Sequence, residues 1–208
     1  MKYIALLILL ITLLIFLSGC SNYVEQINIE KNNKIMEGKK ILMIVAPENF
    51  RDEEFLEPKK VFEDNGVNVV VASKDVSEAK GMLGATAKID LDIKDVNVDE
   101  YDAIVFVGGS GSSIYYNDEN ALNIAREAYN KGKIVAAICI APGILANAGI
   151  LNGKKATIWN GDEQYKSILE KGGAQYTGNN IEQDGNIITA NGPHAAKEFG
   201  EKILKSLS

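Results

Sequence analysis

Cys139 stands in the string Ala137-Ile138-Cys139-Ile140-Ala141-Pro142-Gly143, directly after the apolar run 134–138 and before a helical pattern. A thiol there sits on a strand-to-helix turn, and the small residues two before and two after it are what a tight nucleophile elbow requires. The chemistry would be nucleophilic attack by sulfur. The positive end of the following helix favours thiolate, so the thiol is expected to ionise below the ordinary value of about 8.5. The competing reading is a buried cysteine acting as a small hydrophobe. A second signal, Gly108-Gly109-Ser110-Gly111, closes another apolar run. The amides of Gly109 and Ile140 could together form an oxyanion hole, whereas in isolation the glycines read as a plain turn. They lack the spacing and the lysine of a phosphate-binding loop.

The remaining chemistry-bearing residues are few. His194 is the chain's one histidine and follows Gly192-Pro193 at the start of the last helical pattern, either near the strand ends or simply solvated. With one histidine and two cysteines, neither a metal site nor a cofactor is expected. Trp159 reads as core or pocket wall. Glu54 reads as an acidic residue suited to a helix start.

The other cysteine belongs to a different segment. Residues 4–17 form an uncharged apolar run behind Lys2, ending in Leu17-Ser18-Gly19-Cys20. The pattern resembles a lipobox: residues 1–19 would be a lipoprotein signal peptide and Cys20 the lipidated mature N-terminus. The rival is an uncleaved N-terminal anchor. Either places the domain at a cell membrane, on its extracytoplasmic face, and a lipidated Cys20 leaves Cys139 without an intramolecular disulfide partner. Residues 20–39, polar and without a sustained period, read as a tether.

From residue 40 onward, apolar runs alternate with helical patterns. Strands are expected at 41–46, 67–72, 103–107, 134–138, 156–159 and 187–190. Helices are expected at 54–65, 120–130, from the elbow to about 148, 162–171 and 195–207, with a short hairpin within 81–90. This alternation predicts one α/β domain over 40–208, its parallel sheet covered on both faces. Ligands of such sheets bind beyond the carboxyl ends of the strands, where Cys139 and Gly108–Gly109 both fall. The formal net charge of −6 and pI of about 5.0 argue against nucleic acid as a partner.

Val135-Ala136-Ala137-Ile138-Cys139 with Pro142, Gly108-Gly109 and Asn191-Gly192-Pro193 together resemble the ThiJ/PfpI family, related to class I glutamine amidotransferases. The resemblance spans about residues 40–207. It implies a flavodoxin-like three-layer sandwich with a mostly parallel central sheet, a homodimer, and the elbow cysteine paired with a glutamate four residues before a proline. Glu54 stands four before Pro58. By the same resemblance, Glu54 contacts the thiol and sets its ionisation. Two departures matter. Protease-like members follow the cysteine with histidine, where this chain has Ile140. Other members carry a histidine in the segment matching Thr157-Ile158-Trp159-Asn160, and none is present.

The expected function is a membrane-anchored enzyme acting on small electrophiles, glyoxalase- or deglycase-like, with Cys139 as nucleophile and Glu54 as acid or base. A non-catalytic redox or stress protein that senses oxidants through Cys139 is the alternative. A cysteine peptidase lacking its usual histidine is the weaker one.

Overall fold

The computed structural model describes residues 36–207. Contacts divide the chain into units 1–37 and 38–208, and the second carries the fold. The expected signal peptide, Cys20 and most of the proposed tether lie outside the described residues.

The first buried run forms β1 (Lys40–Ile44), parallel to both β3 (Asn68–Ser73) and β7 (Ala103–Phe106), with Leu42 level with Val70 and Ile104. β7 pairs with β8 (Ile134–Ile138), and β8 with β12 (Ile187–Ala190), again in parallel. The edges are β6 (Leu91–Asp92) beside β3 and β11 (Ile181–Asp184), which is antiparallel to β12. The order across the seven strands is β11-β12-β8-β7-β1-β3-β6. Residues Ile41 to Ile44, Ala103 to Phe106 and Val135 to Ile138 are at most 1 % exposed, so both sheet faces are covered. That is why these strands read as unbroken apolar runs rather than alternating ones.

Helices supply the outer layers. α1 (Asp52–Asp64) packs against α5 (Ala196–Ser206) on one face. On the other, α2 (Glu119–Asn130) and α3 (Pro142–Asn147) share a core with Leu42, Ile44, Ile104 and Phe106. The result is the expected flavodoxin-like α/β sandwich. Among the described residues no helix is long and apolar enough to cross a membrane.

Two smaller sheets border the strand ends. β2 (Glu48–Phe50) pairs with β4 (Glu78–Gly81), which forms an antiparallel hairpin with β5 (Thr86–Lys88). The hairpin expected within 81–90 therefore begins earlier. β9 (Lys155–Ala156) pairs with β10 (Gln175–Tyr176), and α4 (Glu163–Lys171) lies between them in sequence. The strand expected over 156–159 is thus shorter and outside the main sheet: Thr157 turns aside, its amide donating to Thr189 Oγ1 and its hydroxyl to Asn179 O.

Candidate active site

Cys139 closes β8 with φ of +63°, a left-handed conformation that a non-glycine residue adopts at a cost of about 1–2 kcal/mol. The backbone on both sides holds it there. Its amide donates to Ala190 O at 2.9 Å, extending the β8–β12 ladder, and its carbonyl accepts from Trp159 N at 2.8 Å. The next residue is fixed too, because Tyr116 Oη donates to Ile140 O at 2.8 Å. Completely buried Ala137 and Ala141 flank the bend, in the small-residue positions an elbow needs. The sulfur therefore projects to one place, and the Gly109 and Ile140 amides are directed at it.

Glu54 reaches that place from the third position of α1. Pro58 lies one helical turn on and lacks the N–H that would otherwise bond the Glu54 carbonyl, so the Glu–Pro spacing has a local structural consequence. The Glu54 side chain is completely buried, and neither carboxyl oxygen has a conventional hydrogen-bond partner. What the carboxyl faces is the Cys139 thiol. A Cβ added to Gly108 would lie 2.3 Å from Glu54 Oε2 and 2.4 Å from Cys139 Cβ. Carboxyl and thiol thus flank one point, which only a residue without a side chain leaves open. Gly109 is needed for another reason. Its φ is +96°, and a Cβ there would lie 2.3 Å from Arg51 N. The glycine loop lies directly on the 48–51 segment, with Arg51 N donating to Gly108 O at 3.0 Å.

Burial dominates the electrostatics. It raises the Glu54 carboxyl to about 8, against opposing effects of the thiol contact and the Arg51 charge. It also pushes the Cys139 thiol up to about 12, with the adjacent Glu54 carboxylate adding to the rise and the Gly109 and Ile140 amides opposing it. The lowered thiol pKa expected from the helix dipole is overturned. Three turn residues, Cys139, Ile140 and Ala141, precede α3, and that helix is only six residues long. Its dipole is weak, and desolvation outweighs it. Thiol and carboxyl behave as a pair whose first proton leaves near 8.

The pocket over the pair holds about 270 Å³ and is lined by Arg51, Glu54, Met82, Gly109, Ser110, Cys139, Ile140, Trp159, Tyr165 and Pro193. Four of the predicted residues, Cys139, Glu54, Gly109 and Ile140, meet here. His194 does not. It is exposed on the turn Pro193–Ala195 and contributes nothing to the lining, although its neighbour Pro193 does. Trp159 is pocket wall, 38 % exposed. Three lining residues carried no signal in the sequence. Arg51 holds Glu53 through two bonds, Nε to Oε2 at 2.7 Å and an Nη2 bond to Oε1 at 3.0 Å. Met82 arrives on the β4–β5 turn, which Asp52 anchors by accepting from the amides of Leu83 and Ala85. Tyr165 comes from α4. Glu54 was legible as an acidic residue suited to a helix start, but Asp52's use as a loop anchor depends on a partner thirty residues away. Among the described residues no group of three or more His, Cys, Asp or Glu side chains is placed to hold a metal.

Comparison with known proteins agrees with this fold. The chain is 44 % identical over 203 residues to an uncharacterised protein of Methanocaldococcus jannaschii, covering 97 % of this chain and 96 % of that one. It is 34 % identical over 168 residues to the deglycase PfpI of Pyrococcus furiosus, covering 81 % of this chain and 99 % of the relative. The crystal structure of a ThiJ/PfpI domain protein from Brachyspira murdochii superposes with a TM-score of 0.78 at 37 % identity, covering 82 % of this chain and 96 % of that one. The DJ-1/PfpI family itself is matched over residues 39–206, which takes in the whole sheet, the elbow and Glu54, and the chain belongs to that family.

Proposed function

We propose that this protein converts small reactive carbonyl compounds, α-oxoaldehydes or their adducts, through Cys139 and Glu54, in the manner of a glyoxalase or deglycase. The observation that carries the reading is the meeting of a buried carboxyl, a thiol and two amides at one point of a largely apolar pocket. The deglycase name of the Pyrococcus relative supports it.

The residues suit each step. Once the pair has lost its first proton, the Glu54 carboxylate takes the thiol proton as sulfur bonds to the aldehyde carbon. The aldehyde oxygen gains charge beside the Gly109 and Ile140 amides. Glu54 passes the thiol's proton to that oxygen and is a carboxylate again. It then removes the proton from the former aldehyde carbon and returns one to the neighbouring carbonyl carbon, while the hydroxyl proton moves to the neighbouring oxygen, leaving a thioester of a 2-hydroxy acid. Water cleaves the thioester and restores the thiol. One carbon is oxidised and its neighbour reduced, so only water is consumed.

The alternatives fit less well. An oxidant sensor works through an exposed, low-pKa thiolate, and this thiol is held in the opposite direction. A cysteine peptidase uses a histidine beside the sulfur to take its proton and return it to the leaving amine, and neither Ile140 nor the exposed His194 supplies one.

The proposal also places the enzyme at the outer face of a membrane, on the strength of the apolar run and Cys20. As in the resemblance, it works as a homodimer. The deciding experiment is methylglyoxal consumption with release of lactate. Wild type is expected to turn over, and Cys139→Ala to fall to the uncatalysed background. Equal rates for the two would end the proposal.

A further inference from the structure

The pocket is broader and more apolar than a three-carbon oxoaldehyde needs. Such a molecule fills only a fraction of about 270 Å³. Beyond the thiol and carboxyl, the apolar part of the lining is Met82, Ile140, Trp159, Tyr165 and Pro193, beside the polar Arg51 and Ser110. Trp159 is the largest of these and is set with some care. Its amide is tied to the Cys139 carbonyl, which fixes its distance from the nucleophile. Its ring meets the Tyr165 ring edge-on, centroids 5.5 Å apart at 62°. The indole also lies against two glycines. A Cβ on Gly161 would come within 2.1 Å of Trp159 Cζ2, and one on Gly192 within 3.5 Å of Cδ1. Yet the indole is still 38 % exposed, so an apolar face remains open to an occupant.

We propose that Trp159, braced by Tyr165, is the specificity-determining residue of this pocket, and that its substrate carries an aryl group or comparably broad apolar substituent, as the arylglyoxals do. The inference rests on the oxoaldehyde reading for its reaction but on the wall alone for its selectivity. A planar ring against the indole buries apolar area on both partners and gains the additional attraction of an aromatic pair. The reacting carbonyl groups then point toward Cys139 and Glu54.

The test has two arms. In the kinetic arm, kcat/KM is measured for phenylglyoxal and methylglyoxal with wild type, Trp159→Ala, Trp159→Phe and Gly161→Ala. The phenylglyoxal-to-methylglyoxal ratio is expected to fall about ten-fold in Trp159→Ala, to recover in large part in Trp159→Phe, and to fall in Gly161→Ala, where the new methyl displaces the indole. In the binding arm, Trp159, the only tryptophan in the chain, reports occupancy by its own fluorescence. Mandelate is expected to bind wild type about ten-fold more tightly than lactate. A ratio unchanged by Trp159→Ala, or equal affinities for mandelate and lactate, would overturn the inference. If neither oxoaldehyde is consumed while mandelate is still preferred, the reaction assignment falls and the aryl site stands. If methylglyoxal is consumed and the aryl compounds have no advantage, the reverse holds.

Discussion

The Cys139–Glu54 pair concentrates the site's electrostatics in two residues. Because the Glu54 carboxylate raises the thiol, removing its charge should make Cys139 more acidic, not less. Glu54→Gln is expected to shift the midpoint of iodoacetamide alkylation downward and to speed alkylation near pH 8 about ten-fold. The same variant loses the proton acceptor, so oxoaldehyde turnover should drop about 100-fold or more. Wild-type turnover should rise with pH through about 8, as the pair loses its first proton. Slower alkylation in Glu54→Gln would mean that the carboxyl stabilises the thiolate. Stability carries a second signature. Folding raises the carboxyl from its ordinary 4.5 to about 8, so between those values the folded chain keeps a proton that the unfolded chain has lost. Wild-type stability should therefore fall by about 3 kcal/mol from about pH 5 to about pH 8. Chemical denaturation of Glu54→Gln across that range should lack this slope, and parallel curves for the two proteins would rule the shift out.

At the scale of elements, the site depends on how closely they approach one another. α1 delivers Glu54 only because α5 lets it lie close: a Cβ on Gly200 of α5 would stand 2.9 Å from Pro58 Cα and 3.3 Å from Val61 Cβ. Gly200→Leu should force the two helices apart, destabilise the protein by about 3 kcal/mol and lower its Tm by roughly 6–12 °C in a thermal melt. An unchanged Tm would show that the helices do not need this contact. Strand and helix positions were largely legible beforehand. Apolar runs mark β1, β3, β7, β8 and β12, and glycine stops end the patterns of α1 and α2 at Gly66 and Gly132. Antiparallel β11, with its half-buried Ile-Glu-Gln-Asp, has no such run and escaped notice. So did the sideways turn at Thr157, which hydrogen bonds to Asn179 and Thr189 decide.

For the whole molecule, the proposed anchor at Cys20 decides where the domain works. If Cys20 is lipidated as proposed, wild type should partition into the detergent phase and Cys20→Ser should not. Equal partitioning of the two, with the signal segment still attached, would remove the lipid from the proposal.

The sequence by itself determined the α/β sandwich, the elbow and the glycine loop, because each is written in local residue types: buried runs, small residues around a bend, and glycines at a strand end. It also pointed to Glu54, through a family spacing rather than through any property of that glutamate. Tertiary structure alone decided how the thiol titrates. A helix dipole can be read from sequence, but desolvation depends on what covers a group, and here burial, with the adjacent carboxylate adding to it, reverses the expected sign. It also decided the pocket's remaining wall. Arg51, Met82 and Tyr165 come from three separate segments that only the packed chain brings over the sulfur, while His194, promising by position, turns out to solvent.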